Sequence, residues 1–285
     1  MNAREAIERL HGGRVARVSP RGGSISVASL EGGEAVVAKR GVGPGATAAE
    51  AAGLRWLGEH GDVPVPTVYG HDDEWIVLEY IPPGAPSKQA AEELGRGLAK
   101  VHLRGAPAFG SPPPGGPAGA WMGVAPMRNE SHPDWPSFYA RQRIEPYVRM
   151  CVDQGLFTAG QVAIFDRVCE RLPGLAGPPE PPARLHGDAW NGNVHWSDRQ
   201  AWLIDPAAHG GHREGDLAML QLFGAPLLDR FLGAYAESAE RPLADGWRDR
   251  VELHQLFPLL MHAAVFGGGY AGQALSAARK VLRLT

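Results

Sequence analysis

The stretch LHGDAWNGN, residues 185–193, decides the fold, and WLIDPA follows at 202–207. Asp188 and Asn193 lie five residues apart, and Asp205 ends a short strand-like hairpin. An Asp and an Asn at this spacing are more typical of turn capping when they occur alone. The His-Gly-Asp start, Gly192 before the Asn and the apolar strand before Asp205 together favour one loop that gathers three oxygen-bearing side chains.

These three side chains match the chemistry of phosphoryl transfer. That reaction requires a carboxylate beside the acceptor hydroxyl, and it requires hard oxygen ligands for Mg²⁺. In a kinase catalytic loop the base and a metal ligand have the spacing of Asp188 and Asn193. We therefore predict Asp188 as the catalytic base, and Asn193 with Asp205 as the Mg²⁺ ligands.

The residues before this loop predict a sheet. Segments 14–19, 24–30 and 34–40 read as an antiparallel meander because turn residues separate them. A helix is expected over 47–60 with Thr47 as its N-cap, and two further strands over 67–71 and 74–79.

Nucleotide-binding residues are expected in this sheet. Lys39 ends the third strand and Glu50 follows in the helix, an order in which a Lys contacts nucleotide phosphates and a Glu holds the Lys. Either residue alone would more often be a solvated surface charge. A weaker phosphate loop is predicted at the turn between the first two strands, with Gly22, Gly23 and Ser24. Adenine is expected at the backbone of the segment after the fifth strand, with Glu79, Tyr80 and Ile81.

The remaining chain predicts a mostly helical lobe, so the fold class is α+β. We predict a protein-kinase-like two-lobe fold with an N-terminal lobe at 1–80, a hinge at 81–86 and a C-terminal catalytic lobe at 87–285. A helix is expected over 89–103, and a long irregular insertion over 104–136 because Gly and Pro are frequent there. Further helices are predicted over 137–153, 158–171, 214–223, 227–239, 247–266 and 270–282.

The chain resembles the fructosamine kinase family, which is related to aminoglycoside phosphotransferases and choline kinases. The resemblance rests on residues 185–193, on IDPA at 204–207, on GHREGDLAM at 211–219, and on a Trp-x2-Phe-Tyr-x3-Arg-Ile-x-Pro pattern at 135–146. It implies that Mg-ATP phosphorylates the 3-hydroxyl of ketosamines, and that the unstable product then releases the amine, which is deglycation. It implies the same roles for Asp188, Asn193, Asp205, Lys39 and Glu50.

Other residues receive roles from the same resemblance or from their place in the chain. Trp190 is expected beside the substrate sugar, although a packing role also fits a Trp in such a loop. His212 and Arg213 are expected either in the acceptor pocket or in a buried polar brace. His186 and Asp216 are expected to support the catalytic loop. Ala189 and Asn191 depart from the usual family residues, so the sequence leaves fine substrate preference open.

Two alternatives stay open at this stage. The first is a kinase for an aminoglycoside or a choline-like amine, since the tail beyond 243 carries the carboxylates and aromatic side chains that a cationic substrate needs. The second is a non-catalytic, nucleotide-binding pseudokinase, which the complete set of metal and base residues disfavours.

Composition also indicates which kinds of partner the protein binds and where in the cell it is located. Lys and Arg number 28 against 31 Asp and Glu, so the formal charge of −3 does not suggest nucleic-acid binding. Cys151 and Cys169 lack metal-type spacing, and neither a signal peptide nor an apolar run long enough to span a bilayer is recognised. We therefore expect a cytoplasmic protein with no membrane partner, and the sequence leaves its oligomeric state open.

Overall fold

The computed structural model describes residues 1–283, and its N-terminal part is organised around one antiparallel sheet. Helix α1 (Ala3–Leu10) precedes the sheet, and helix α2 (Ala46–Gly58) is inserted after the third strand. The sheet confirms the predicted five strands, whose order is β1-β2-β3-β5-β4. The strands are β1 (Val15–Gly22), β2 (Ile25–Leu30), β3 (Ala35–Arg40), β4 (Val68–His71) and β5 (Trp75–Glu79).

Alternation along β3 explains how the sheet lies between the two helices. Val36 and Ala38 are fully buried in a cluster with Ile7 of α1. Val37 lies on the opposite face, with a cluster that contains Leu54 of α2. Because successive side chains of a strand point to opposite faces, Lys39 follows Val37 onto the side of α2.

Helix α2 begins differently from the prediction. Its N-cap is Gly45, in the left-handed conformation with φ of 72°, and no side chain caps the helix. Thr47 is therefore wrong as the predicted N-cap. Its side chain is buried, and its hydroxyl donates to the carbonyl of Asp72 before β5. The start of α2 is instead held from outside, because the indole Nε1 of Trp121 donates to Pro44 O at 3.1 Å.

The C-terminal part is mainly helical, as predicted. The chain reaches it through residues 80–87, where the predicted hinge at 81–86 stays a prediction. The predicted start of one helix at 247 is wrong, because residues 247–250 form turns before α9. The helices are α3 (Lys88–Leu103), α4 (Trp135–Phe138), a π-helical turn (Tyr139–Ile144), α5 (Glu145–Asp153), α6 (Ala159–Leu175), α7 (Glu214–Leu222), α8 (Leu228–Ser238), α9 (Val251–Phe266) and α10 (Gly269–Val281).

The segment 104–136 is not wholly irregular, which corrects the prediction. It contains a hairpin of β6 (Gly119–Met122) and β7 (Ala125–Arg128). Ala120 and Met122 on one strand and Ala125 and Met127 on the other are buried, with exposed or partly exposed residues between them. This short alternation buries one face of the hairpin against the C-terminal core.

Two short strand pairs hold the loops around residues 185–205. Strand β8 (Ala183–Leu185) pairs with β11 (His209–Gly211), and β9 (Val194–Ser197) pairs with β10 (Gln200–Leu203). The second pair is the predicted hairpin before Asp205, whereas the first was not predicted. Across residues 1–283, the helices are all too short or too polar to traverse a lipid bilayer.

Candidate active site

The loop that begins with His186 is anchored by a buried aspartate, Asp216, in the first turn of α7. Its Oδ2 accepts from the backbone N of His186 at 2.7 Å, and its Oδ1 accepts from Gly187 N at 2.9 Å. Gly187 has a φ of 81°, and a Cβ there would lie 2.2 Å from Ala207 O. A glycine is therefore required at this position by both the backbone conformation and the close approach.

A third donor to this aspartate comes from a residue that the sequence did not single out. The Nε2 of His102, near the end of α3, lies 3.2 Å from Asp216 Oδ2, and its Nδ1 lies 2.8 Å from the hydroxyl of Tyr235. All three side chains are almost completely buried. Burial by itself raises the pKa of Asp216, but the hydrogen bond from His102 and the surrounding groups outweigh it and lower this pKa. We call Asp216, His102 and Tyr235 the loop brace.

Asp188, two residues after His186 in the same loop, is also buried, but its carboxylate has fewer hydrogen-bond donors than that of Asp216. Asn193 Nδ2 donates to Asp188 Oδ2 at 2.8 Å and to the carbonyl of Asp188 at 2.9 Å. Burial raises the pKa of Asp188 to about 7, and the hydrogen bond from Asn193 opposes this shift. Because the amide nitrogen of Asn193 is directed to Asp188, its Oδ1 is the atom left to accept from, or to coordinate, another group.

Lys39, Glu50 and Asp205 form an ion cluster beside Asp188. The Nζ of Lys39 lies 3.0 Å from Glu50 Oε2 and 2.8 Å from Asp205 Oδ1. Asp205 has a φ of 52°, a conformation that is uncommon for residues other than glycine and is concentrated at functional sites. The structure thus brings together five residues that the sequence predicted for the site. We call them the front cluster: Lys39, Glu50, Asp188, Asn193 and Asp205.

The charges of the front cluster influence one another. Burial by itself lowers the pKa of Lys39, but the carboxylates of Glu50 and Asp205 outweigh it and raise this pKa. Burial raises the pKa of Glu50 to about 7, and Lys39 opposes the shift. Oε1 of Glu50 is buried with no hydrogen-bond partner among residues 1–283. The cluster therefore holds more carboxylate oxygens than its single ammonium group can satisfy.

Contacts from the C-terminal part fix α2, and with it Glu50. A Cβ at Gly43 would lie 2.2 Å from the Trp121 ring, so the indole packs directly on the turn before α2. Gly53 lies about one turn after Glu50 in α2. It packs against Pro206, because a Cβ added at Gly53 would lie 3.2 Å from Pro206 Cγ. The hairpin β6–β7 therefore contacts the turn before α2, and Pro206, the residue after Asp205, contacts α2 itself.

A cavity of about 350 Å³ opens beside the front cluster, and its lining includes all five of those residues. Trp190 lines the cavity as predicted for a substrate-side residue, with 37% of its surface exposed. A Cβ at Gly192 would lie 2.3 Å from the Trp190 ring, so the indole can occupy this position only because residue 192 has no side chain. Phe223 packs edge-on against the same indole, with 5.8 Å between the ring centroids.

Asn129 also lines this cavity, and the sequence gave no role to it. It is buried at the end of β7, and its Oδ1 accepts from Arg143 Nη2 at 2.7 Å. Because a guanidinium can only donate, this contact fixes the orientation of the amide. The Nδ2 of Asn129 is left buried without a partner among the described residues. Arg143 itself comes from the Arg-Ile-x-Pro stretch on which part of the family resemblance rests.

The residues of the predicted phosphate loop and of the predicted adenine site lie outside this lining, whereas Lys39 and Glu50 belong to it. Gly22 still belongs to β1 and pairs with Ile25, so Gly23 and Ser24 form a tight two-residue turn. Both glycines have positive φ, and an added Cβ would meet open space within 4 Å. The segment thus has the small side chains and open surroundings that a phosphate loop needs, but it is a shorter turn than the predicted loop.

Of the residues predicted to contact adenine, Glu79 is the last residue of β5, and Tyr80 and Ile81 follow it directly. The carboxylate of Glu79 accepts from the Thr67 hydroxyl at 2.9 Å, so its side chain is used within the sheet. The carbonyl of Ile81 lies 3.0 Å from His195 Nε2 in strand β9. This contact links the segment after β5 to the hairpin that leads from Asn193 to Asp205.

His212 and Arg213 do not join the front cluster. Arg213 makes a two-bond contact with Glu180, with both distances at 2.6 Å. The backbone N of Glu214 donates to His212 Nδ1 at 3.2 Å, and Glu214 itself is paired with Arg250. Neither His212 nor Arg213 is among the cavity-lining residues in the described part of the chain. The geometry supports the buried polar brace and gives no support to their predicted substrate contact.

The fold and the front cluster together define the class of protein. A choline kinase structure from Streptococcus pneumoniae is 17% identical, has a TM-score of 0.65, and aligns over 99% of this chain and 98% of its own. At that identity the likeness shows the fold alone, which is the protein-kinase-like fold predicted from the sequence. The chain therefore belongs, by fold, with the protein-kinase-like proteins.

The chain belongs to the fructosamine kinase family, whose profile matches residues 42–284. A crystal structure from Thermobifida fusca, described as a candidate fructosamine-3-kinase, is 45% identical, covers 99% of both chains and has a TM-score of 0.93. A protein from Enterococcus faecium named as a probable ketoamine kinase is 33% identical over 230 residues, or 79% of each chain. The protein is thus a sugar-amine kinase.

Proposed function

We propose that the protein transfers the γ-phosphoryl group of ATP to the 3-hydroxyl of a ketosamine, in a reaction that depends on Mg²⁺ and leads to release of the amine. One observation carries the proposal: Asp188, Asn193 and Asp205 share a cavity with the aromatic side chain of Trp190. The first three are the groups that phosphoryl transfer requires, and an indole suits the apolar face of a sugar.

Asp188 is assigned as the base that accepts the proton of the acceptor hydroxyl. The hydroxyl oxygen forms a bond to the γ-phosphorus as the bond between that phosphorus and the β–γ bridging oxygen breaks. The bridging oxygen keeps the electron pair and leaves with ADP. The hydrogen bond from Asn193 to Asp188 Oδ2, at 2.8 Å, orients the carboxylate, and its other oxygen is left to face the hydroxyl.

Asn193 and Asp205 fit a magnesium site by the chemistry of their donor atoms. Mg²⁺ prefers one or two protein carboxylates or other oxygens, completed by water and phosphate oxygens. The Oδ1 of Asn193 and the carboxylate of Asp205 supply such a set, and the ion would neutralise charge on the phosphates when bound. Lys39 contacts Asp205 at 2.8 Å, so the same carboxylate already attracts a cation.

Nucleotide binding is assigned to the N-terminal sheet. Lys39, held by Glu50 at 3.0 Å, is placed to contact phosphate oxygens. Gly22, Gly23 and Ser24 are proposed to cover the phosphates, and the backbone of Glu79, Tyr80 and Ile81 to contact the adenine edge. A lobe boundary at the hinge, residues 81–86, would place the nucleotide between the sheet and the β9–β10 hairpin.

The remaining residues are assigned either to holding the catalytic loop and α7 in place or to contacting the substrate. His186 and Asp216 are proposed to fix the catalytic loop, and His212 and Arg213 to brace α7 through their buried partners. Trp190 and Asn129 are proposed on the substrate side of the cavity. The Nδ2 of Asn129, which has no partner among residues 1–283, is a hydrogen-bond donor that a sugar oxygen would satisfy. The cytoplasmic location stays a prediction from the sequence.

A panel of acceptors tests the proposed function. Purified protein is given ATP with or without Mg²⁺ and, in turn, a fructosamine, a ribulosamine, an aminoglycoside and choline, and ADP release is measured. We expect turnover only with the sugar amines and only with Mg²⁺. Phosphorus NMR of the product locates the phosphate, which we expect on the 3-hydroxyl. Turnover of the aminoglycoside or choline in place of the sugar amines would contradict the substrate assignment and leave the kinase assignment intact.

A further inference from the structure

Arg143 differs from the other buried arginines in its partners. Among residues 1–283, each of the other three forms an ion pair with a glutamate: Arg184 with Glu59, Arg213 with Glu180, and Arg250 with Glu214. The hydrogen bonds of Arg143 within the described chain go only to neutral oxygens. A buried charge without an opposite charge is costly to a folded protein. Stability alone therefore does not explain this guanidinium.

The guanidinium of Arg143 packs on two rings and bonds to the end of β7. Arg143 is 1% exposed, and its Cζ lies 4.6 Å from the ring centroid of Phe138 and 5.2 Å from that of Phe257. Nη1 donates to the carbonyl of Arg128 at 2.8 Å, and Nη2 donates to Asn129 Oδ1 at 2.7 Å. Burial lowers the pKa of Arg143 to about 10, which leaves the group charged at neutral pH. The π-helical turn thus brings a buried cation to Asn129.

Through this contact the charge of Arg143 acts on the amide of Asn129. Because a guanidinium can only donate, Oδ1 is the acceptor and Nδ2 keeps its two N–H donors. Successive hydrogen bonds polarise one another, so a cation on Oδ1 makes Nδ2 a stronger donor. Asn129 lines the active-site cavity together with Asp188 and Trp190, and its Nδ2 has no partner among residues 1–283. At this wall the cavity therefore presents a donor of fixed orientation that requires an acceptor.

We infer that Arg143 is a positioning residue for the acceptor substrate: it orients and polarises Asn129, whose amide donates to an oxygen of the sugar. The inference rests on the proposed function. A ketosamine carries neutral oxygens on its sugar and a positive charge at its protonated amine. A donor amide with a cation behind it attracts the first and repels the second. Phosphate oxygens would satisfy the same donor, but the phosphates are assigned to Lys39 and the N-terminal sheet. The sugar is thus oriented with one oxygen toward β7, whichever group carries the amine.

Asn129→Asp separates folding from substrate binding. The new carboxylate still accepts from Arg143 and supplies its missing opposite charge, so the thermal midpoint should be equal to or above that of the wild type. The donor at the cavity wall becomes an acceptor. We therefore expect kcat/KM for a fructosamine to fall roughly 30-fold or more, and KM for ATP to change less than twofold. Asn129→Ala, which only removes the donor, should lower kcat/KM for the fructosamine roughly 5- to 30-fold.

Variants of Arg143 test the positioning role. Arg143→Met removes the charge and should lower kcat/KM for the fructosamine roughly 5- to 30-fold, while Arg143→Lys, which keeps the charge, should recover part of this loss. Combined with Asn129→Ala, Arg143→Met should add little, because Arg143 acts through Asn129. Arg141→Met is the matched control. It makes the same change two residues earlier, at an exposed position outside the described cavity lining, and should alter nothing.

The sign of the Asn129→Asp effect identifies the group that Asn129 contacts. Tighter binding of the fructosamine would place its ammonium there, and a raised KM for ATP alone would place a phosphate there; either result overturns the inference. Unchanged kinetics would show that the donor is not used. Additive losses in the double variant would show that Arg143 supports the fold and does not position Asn129. If Arg143→Met does not fold, the comparison of Arg143→Lys with the wild type decides the positioning role. If the wild type phosphorylates no sugar amine, the proposed function itself fails.

Discussion

Two buried aspartates have opposite roles at the same loop: Asp188 belongs to the loop, and Asp216 of α7 anchors it. Asp216 has three donors, from His186 N, Gly187 N and His102, and its pKa is lowered. Asp188 has one side-chain donor, Asn193, and burial raises its pKa to about 7. Both are less than 10% exposed.

The number of donors decides the difference. Burial disfavours the charged form of a carboxylate, and hydrogen bonds to its oxygens favour it. A fully bonded carboxylate stays ionised and holds its neighbours in place, which suits the loop brace. A carboxylate with one donor keeps an oxygen free for a reacting group, which suits the front cluster. The comparison predicts that changes in the front cluster remove activity and that changes in the loop brace remove stability.

Asp205→Ala should have the largest effect on the front cluster. We expect no measurable Mg²⁺-dependent turnover, because the cluster loses the one carboxylate assigned to both the metal and Lys39. ATP binding without Mg²⁺ should change little, since the adenine contacts are assigned to backbone groups near residue 80. Titration of ATP with and without Mg²⁺ measures this. A variant that kept the wild-type Mg²⁺ enhancement of ATP binding would show that Asp205 is not a metal ligand.

Asp188→Asn should lower turnover by roughly 10² to 10⁴-fold, which is the contribution of a positioned general base. ATP affinity should stay the same, because Asp188 is assigned to the acceptor and not to the nucleotide. The thermal midpoint at pH 8 should be equal to or above that of the wild type, because a buried charge is removed and its shape is kept. Wild-type turnover in this variant would remove Asp188 from the role of base.

Asp216→Asn is the matched change in the loop brace. The carboxamide offers one acceptor oxygen where three donors converge, so we expect the free energy of unfolding to fall by about 2–4 kcal/mol. Denaturant unfolding measures this change directly. His102→Phe, which removes one donor and fills the space, should cost less. Equal stability of Asp216→Asn and Asp188→Asn would contradict the contrast between the two aspartates.

Stability should also decline in mild acid because of buried neutral histidines. Burial lowers the pKa of His212 to about 3, so the unfolded chain, with a pKa near 6.5, binds the proton first. Stability from this group is therefore complete above about pH 6.5 and is lost as the pH falls toward 3. His212→Asn should melt earlier than the wild type at pH 7, and its melting temperature should depend less on pH between 6.5 and 4. If the melting temperature of His212→Asn fell as steeply with pH as that of the wild type, His212 would not be the source of this acid sensitivity.

The sequence predicted the parts of the site that follow from local spacing. Asp188, Asn193 and Asp205 lie in one loop and hairpin, and Lys39 follows from strand alternation, so the structure brings them together as expected. The sheet and most helices followed from turn residues and periodicity. Thr47 failed as an N-cap because a tertiary contact to Asp72 uses its hydroxyl.

Residues that act through distant contacts were missed. Asp216 was predicted to support the catalytic loop, but its donor His102 was missed, because the two lie 114 positions apart and no local pattern joins them. A signal was present, because Leu94, Leu98 and His102 share one buried face of α3 and a polar residue on such a face needs a partner. Asn129 lay in a Gly- and Pro-rich segment whose short hairpin was obscured by turn residues. Its role depends on Arg143, which reaches it from the π-helical turn.

Gly43→Ala gives the smallest effect and asks whether the front cluster also depends on packing from outside. The added Cβ would lie 2.2 Å from Trp121, so the indole must move away from the turn that starts α2. Because Glu50 is carried by α2, we expect its contact with Lys39 to loosen and kcat to fall roughly 3- to 10-fold, which corresponds to about 0.6–1.4 kcal/mol.

The matched control for this last change is Gly119→Ala, on the hairpin that carries Trp121. An added Cβ at Gly119 meets open space within 4 Å, so turnover should stay the same. In a Glu50→Gln background, Gly43→Ala should cause little further loss, because the contact through which it acts is already weakened. Fully additive losses in kcat would show that the Trp121 contact supports the fold in general. A non-additive result would extend the contrast between the two aspartates: the front cluster keeps its unpaired oxygens because neighbouring packing, and not its own hydrogen bonds, holds it in place.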